Sequence, residues 1–210
     1  MSAPIRLPHD WFPQELPDNV VIGKRSWCYS SFACLHYRSR RPCGVRVGHD
    51  SGVYHGTFFD LGPDGEVEIG NYCTLVGAII STNAKVVIRD YAFLAHEVVL
   101  ADSFAAKPYG ANAGIFAGED RDGQPAGKGA GAPVIEIGEN SWIGARAVLL
   151  AGARVGENAI VGAAAVVDFE VPADSIVAGN PARVIGSGFC PKGVRSLTWE
   201  IKFGREGGPC

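Results

Sequence analysis

VIEIGENSWIGARAVLLAGARVGENAIVGAAAVV, residues 134–167, decides the fold. An aliphatic residue falls at 137, 143, 149, 155, 161 and 167, and a glycine follows four of these six positions. An α-helix repeats about every 3.6 residues and a strand every two, so neither carries this pattern. A six-residue beat is that of a parallel β-helix in which each hexad forms one short strand and a turn. One coil cannot bury its apolar row by itself. Stacked coils make a continuous core and leave the outer faces free to bind something.

Working outward, tetrads of β-formers open successive coils: Val20-Val21-Ile22-Gly23, Val45-Arg46-Val47-Gly48, Val67-Glu68-Ile69-Gly70, Val86-Val87-Ile88-Arg89, Ile135-Glu136-Ile137-Gly138 and Ala153-Arg154-Val155-Gly156. The second and third strands follow at Val53 and Phe59 in coil two, at Leu75 and a weak position near Ser81 in coil three, and at Leu94 and Leu100 in coil four. Coils five and six give Ile143 with Leu149 and Val161 with Val167. Six coils at about 4.8 Å per layer predict a prism on the order of 29 Å tall. The expected fold is all-β: a parallel β-helix of about six coils over 20–186, preceded by an arm (1–19) and followed by a short tail (187–210). A Gly/Ala-rich insertion at 101–133 carries no repeat, and loops of that length are commonly functional. A neighbouring subunit is within its reach. After Val167 the beat stops, and 171–185 reads as a partial coil that folds back. Leu197, Trp199, Ile201 and Phe203 suggest an amphipathic segment in the tail.

The composition fits one domain with a sizeable core: 210 residues, 47% hydrophobic, 28 glycines. A net charge of −3 gives no support for a nucleic-acid or membrane partner. The N-terminus lacks the basic and apolar regions of a secretory signal. No apolar run approaches the roughly 20 residues of a bilayer span. The six cysteines show no metal-ligand spacing, so reduced thiols and a cytoplasmic setting are expected. Cys28, Cys34 and Cys73 fall on core positions of the repeat.

The segment from Pro133 to Ile185 resembles the hexapeptide-repeat acyltransferases, most closely the group of galactoside, maltose and serine O-acetyltransferases. The residues that carry the resemblance are Ile137-Gly138-Glu139-Asn140-Ser141-Trp142-Ile143-Gly144-Ala145-Arg146, Gly152-Ala153-Arg154-Val155-Gly156-Glu157-Asn158, Val161-Gly162-Ala163 and Ala178-Gly179-Asn180-Pro181-Ala182-Arg183-Val184-Ile185. The resemblance implies a left-handed β-helix, a homotrimer, and acetyl-CoA (or another acyl-CoA) as co-substrate, with no metal. It also implies that the pantetheine arm runs over Trp142, Gly144, Ala145, Gly162 and Ala163, with Arg183 near the nucleotide. Taken singly, each glycine and alanine also satisfies ordinary tight-turn geometry. The chain departs from the family in two places. A Thr-Lys pair that often follows the last aliphatic residue is replaced by Asp168-Phe169. The positions where relatives carry the catalytic histidine hold Ala105 and Gly129-Ala130-Gly131-Ala132.

Acyl transfer to a hydroxyl or amine needs a base for the acceptor's proton and donors for the developing oxyanion. Histidine suits the first role because its ordinary pKa is about 6.5. Of the five histidines, His9 lies in the arm, His36 in the poorly defined first coil, and His49 at a turn position. His55 and His96 each stand two residues after an inward aliphatic, Val53 and Leu94, in a slot that Gly77, Ala145 and Ala163 hold in the other coils. That puts them on one face, about 10 Å apart, with His96 in line with the pantetheine path. His96 is the expected base, with Asp102 or Glu97 to orient its ring. His55 is assigned to the acceptor site, and Arg146 could steer an anionic acceptor. His96 as an outward turn residue without a role is the plain alternative.

Two other functions remain open from sequence. One is a trimeric scaffold that has lost its base. The other is a metal-dependent hydratase of the carbonic anhydrase type, which needs three histidines converging on an ion. No HxxxxH partner accompanies His96.

Overall fold

The computed structural model describes residues 6–102 and 134–187. The body of the insertion, the tail beyond Ser187, Cys190 and Cys210, and positions 105 and 129–132 lie outside the described residues.

Three parallel sheets run the length of the stack and form its three faces. The first face holds seven strands: Val20–Ile22, Val45–Val47, Glu66–Ile69, Lys85–Ile88, Ile135–Ile137, Arg154–Val155 and Glu170–Val171. The second face begins with Trp27–Cys28, Gly52–Val53, Thr74–Leu75, Phe93–Leu94, Trp142–Ile143, Ile160–Val161 and Ser175–Ala178. An eighth strand, Arg183–Ser187, returns antiparallel to the last of these. The third face has five strands: Phe58–Leu61, Ile79–Thr82, Val99–Ala101, Val148–Leu150 and Val166–Val167. The six coils of the sequence reading are present. In coil one a 3-10 helix, Ser31–Cys34, stands where the third strand would be.

The apolar beat becomes columns of inward side chains. Val53, Leu75, Leu94, Ile143 and Val161 stack in register along the second face and are 0–1% exposed. Phe59, Ile80, Leu100, Leu149 and Val167 stack likewise on the third and are 0–3% exposed. Burying each large aliphatic side chain contributes about 1.5–3 kcal/mol. Cys28 and Cys73 are part of this core, and Cys34 packs against it.

The weak third-strand position of coil three, near Ser81, falls one residue before it. Ile80, not Ser81, is the inward residue, paired with Phe59 and Leu100. Leu75 to Ile80 is five residues, where the other complete coils have six, so the corner between second and third faces is one residue short there. Gly77 consequently aligns with Gly56, Glu97, Arg146 and Ala164, each two residues before an aligned third-face strand position and each with positive φ. It does not share the slot of His55 and His96.

The first face turns charge toward solvent. Lys85 bridges Glu66 and Glu68, while Arg89 and Arg154 both reach Glu136. At the corner after this face, Asn140 donates to Asn158 and Asn158 to Asp174, tying three coils together.

The arm closes the N-terminal end. Leu16 is buried in the core, and His9 stacks on Trp27 at 4.0 Å while its Nε2–H donates to Cys28 O. Asp10 receives bonds from Ser30 Oγ, Phe12 N and Ser31 N. Burial raises its pKa, but the bonds from Ser31, Ser30 and Phe12 outweigh it and hold the carboxyl at about 2. The folded value lies below the ordinary 3.8, so this anchor contributes fully above about pH 4 and is lost as pH falls through about 2. Asp10→Asn should destabilise the arm by about 1 kcal/mol at neutral pH, read as a lower urea midpoint from tryptophan fluorescence, with the difference from wild type shrinking as pH falls from about 4 through about 2.

Candidate functional site

The outward side of the second face is built from the residues that flank the inward column. One outer column runs Trp27, Gly52, Thr74, Phe93, Trp142, Ile160 and Ile176. Trp142 is 54% exposed, and Phe93 meets its ring edge-on at 5.9 Å. On the other flank, Gly144 N donates to Val161 O and Gly162 N to Val177 O as these residues leave their strands. The exposed Trp142 indole therefore stands beside a strip of backbone with almost no side-chain cover.

At the corner, His96, Ala145 and Ala163 fall in one column in consecutive coils. The stacking is fixed by backbone bonds: Arg146 N to His96 O and Ala164 N to Ala145 O, both 2.9 Å. The imidazole of His96 is exposed, and above it in the next two coils stand only methyl groups. Among the described residues, no side chain hydrogen-bonds its ring.

The structure gives the two expected orienting carboxylates other partners. Asp102 is buried, and its Oδ2 accepts from Thr82 Oγ1 at 2.6 Å and Asn83 N at 3.0 Å. It holds the corner of coil three rather than the His96 ring, because it follows the strand that pairs with Ile79–Thr82. Glu97 accepts from Arg146 Nε at 2.7 Å across adjacent coils, with both side chains exposed. This pair raises the Arg146 pKa and leaves that guanidinium a neighbour of the His96 column with its charge already matched.

Trp142, Gly144, Ala145, Gly162 and Ala163 come together on contiguous coils, as does Arg183 on the returning strand, where it pairs with Ala178. Gly144 is also required by the stack itself: a Cβ there would stand 2.6 Å from Ala163 N. At Asp168-Phe169 the aromatic ring is packed against the core, which accounts for an apolar residue where the resemblance leads to lysine.

His55 stands two layers from His96 at the same corner, edge-on to Tyr29 with ring centroids 5.0 Å apart. Beside it is a cleft of about 310 Å³ walled by Trp11, Tyr29, Phe32, Tyr54 and Phe58. Sequence reasoning missed these aromatics. Tyr29 and Tyr54 directly follow the inward residues Cys28 and Val53 of the repeat and could have been found from that. Trp11 lies in the arm, where no repeat places it.

Thiol chemistry is disfavoured at the buried Cys28 and Cys73 and at the partly buried Cys34. Burial pushes Cys28 and Cys73 up to about 11 and Cys34 up to about 12, so they stay protonated near neutral pH. Among the described residues no three His, Cys, Asp or Glu side chains are grouped to hold a metal ion.

Comparison with known proteins finds the same repeat and fold. Residues 135–168 match the family described as bacterial transferase hexapeptide (six repeats). A 2,3,4,5-tetrahydropyridine-2,6-dicarboxylate N-acetyltransferase of Staphylococcus aureus is 57% identical over 53 residues, which are 25% of this chain and 22% of that protein. The match thus spans about a fifth of that relative's length. A hexapeptide transferase family protein from Anaplasma phagocytophilum shares the fold, with a TM-score of 0.51 at 14% identity over 84% of this chain and 80% of its own.

Proposed function

We propose, from the premise that the repeat of this chain is that of the hexapeptide-repeat acyltransferases, that the protein moves an acetyl or other short acyl group from acyl-CoA to a hydroxyl or amine of a small acceptor. The observation that carries this reading is the column of His96, Ala145 and Ala163 beside exposed Trp142. It sets one basic side chain at the end of a bare strip of backbone flanked by a large aromatic. The N-acetyltransferase activity named for the Staphylococcus relative, which is 57% identical over 53 residues, supports the same reading.

The residues present suit a pantetheine arm. A narrow chain of amide and methylene groups needs close approach to backbone, which Gly144, Ala145, Gly162 and Ala163 permit, and Trp142 offers an apolar wall. Acyl-CoA supplies an activated thioester. Arg183, exposed on the returning strand, stands at the end where the nucleotide phosphates would lie.

His96 accepts the proton of the attacking hydroxyl or amine through whichever ring nitrogen faces it. The new bond joins the acceptor oxygen or nitrogen to the acyl carbon, and the carbon–sulfur bond breaks. His96 then returns the proton to the departing thiolate, so the imidazole ends neutral. Backbone N–H groups of the corner are the available donors for the oxyanion.

The same reading makes the protein a homotrimer with its site between subunits. The outward column Phe58, Ile79, Val99, Val148 and Val166 supports this: it is apolar over five coils, and Ile79 is 40% exposed. Such a stripe is suited to burial against another copy. It adjoins the His96 corner, so a second subunit docked there would close the groove. Free thiols at all four described cysteines are in keeping with the cytoplasm.

The test is release of free CoA thiol from acetyl-CoA on addition of a panel of hydroxyl and amine acceptors. Trp142→Ala should weaken acetyl-CoA binding about tenfold by calorimetry, in line with loss of one large aromatic contact. Saturable CoA binding with no turnover on any acceptor would instead favour the scaffold reading.

A further inference from the structure

The short corner of coil three has a chemical consequence. His55 and His96 occupy the same corner slot in coils two and four, and the residue that would stand between them in coil three is absent. What remains there is Gly77, whose neighbour in the coil below is Gly56. Both have positive φ, +66° and +82°, and a Cβ on Gly56 would lie 3.3 Å from Gly77 Cα. The floor between the two imidazoles is therefore bare backbone. A side chain would be strained at either glycine. The result is a notch roughly two strand layers, about 10 Å, tall, with a histidine at each end.

The notch opens beside the aromatic cleft at its His55 end. Among the described residues, no Asp, Glu, Lys or Arg lines that cleft. Ser30 and Thr57 do line it, but both are buried and their hydroxyls are engaged, Ser30 Oγ with Asp10 and Thr57 Oγ1 with Leu75 O. Among the described residues, the polar side-chain groups left to a ligand are the His55 ring, the Tyr29 and Tyr54 hydroxyls and the Trp11 indole N–H. The aromatic faces are accessible: Trp11 is 62% exposed, Tyr54 43% and Tyr29 38%. At about 310 Å³ the cleft is at the lower end of the range for small-molecule sites, enough for one ring and its substituents.

We infer that this cleft and notch form the acceptor site, and that the acceptor is an uncharged ring compound which stacks on the aromatic wall and extends its hydroxyl or amine along the notch to His96. The inference rests on the acyl-transfer reading and narrows it. A phosphorylated or dicarboxylate acceptor would bring anionic charge to a cleft without a cation, at a desolvation cost that nothing in its wall offsets. An uncharged ring keeps its apolar face on Tyr54 and Trp11 and its polar edge on His55. The chemistry is shared by sugars and hydroxylated arenes, and Arg146 plays no part in it because Glu97 matches its charge.

The experiment is a binding titration of the full chain without acyl-CoA, followed by the His55 imidazole C–H resonances, which a His55→Gln variant identifies. Methyl β-D-glucopyranoside, 4-hydroxybenzyl alcohol and glucose 1-phosphate are the probes. Saturable shifts of His55 with either uncharged probe, at least tenfold weaker binding of glucose 1-phosphate, and at least a tenfold loss of the effect in both Tyr54→Ala and Trp11→Ala are expected. Which uncharged probe binds tells a sugar acceptor from an arene. Tighter binding of glucose 1-phosphate, no saturable shift with either uncharged probe, or full retention of binding in both variants would overturn the inference. The readout involves no transfer step. Active transferase with no ring binding sinks the acceptor class alone, and ring binding without turnover sinks the transfer reading alone.

Discussion

His96→Ala should lower the rate of acyl transfer by about 10²–10⁴-fold, the usual contribution of a positioned general base, while the chain elutes with the same mass as wild type. The argument is geometric. His96 is the histidine that adjoins Ala145 and Ala163 in consecutive coils of one column, and its ring has no partner among the described residues. It is exposed, so its removal leaves no core cavity. The fall should appear in kcat, with acetyl-CoA affinity unchanged within about twofold, because the groove residues lie in the coils above. Turnover equal to wild type would remove His96 from the base role. Loss of the assembly together with activity would make it structural.

The second large effect concerns the stack itself. Gly138→Val should lower the unfolding free energy by about 3 kcal/mol. A Cβ at Gly138 would stand 2.7 Å from Glu157 N, Gly156 C and Val155 O, all backbone atoms of the next coil. The coils cannot part there without stretching the Gly138 N to Val155 O bond, now 2.8 Å. Overpacking of this kind costs about 1–3 kcal/mol, and a weakened ladder bond adds about 1. In a solenoid each coil leans on its neighbours, so the loss should spread to coils five and six and abolish acetyl-CoA binding as well. Gly186→Val is the control: nothing lies within 4 Å of a Cβ there, and its midpoint should match wild type. Equal midpoints for both variants, measured in urea, would refute the account.

Most of the architecture is legible in the sequence because its signal is periodic and local. Val20, Val45, Val67, Val86 and Ile135 open their coils where the tetrads put them, and the alignment of His55 with His96 follows from counting alone. Counting fails at Leu75 to Ile80, where one residue is missing and the period cannot show which side of the turn lost it. The roles of Asp102 and Glu97 are likewise unreadable, since both depend on contacts between coils: Thr82 and Asn83 for one, Arg146 for the other. The aromatic cleft is hidden for a different reason. Its wall combines Trp11 from a non-repetitive arm with Phe32 from the 3-10 helix that replaces a strand, and only tertiary packing brings them to Tyr54.

The three faces end at different heights, with seven, eight and five strands. The 3-10 helix and the arm occupy one end, and the antiparallel strand Arg183–Ser187 runs along the other. A column of identical parallel rungs with flush ends would be a template for a second copy to add rung upon rung, the geometry of a growing fibre. Among the described residues, neither end offers a complete triangle of unpaired strand edges. The described caps therefore disfavour rung-on-rung addition of a second copy and leave the side faces of the prism as the surfaces open to contact.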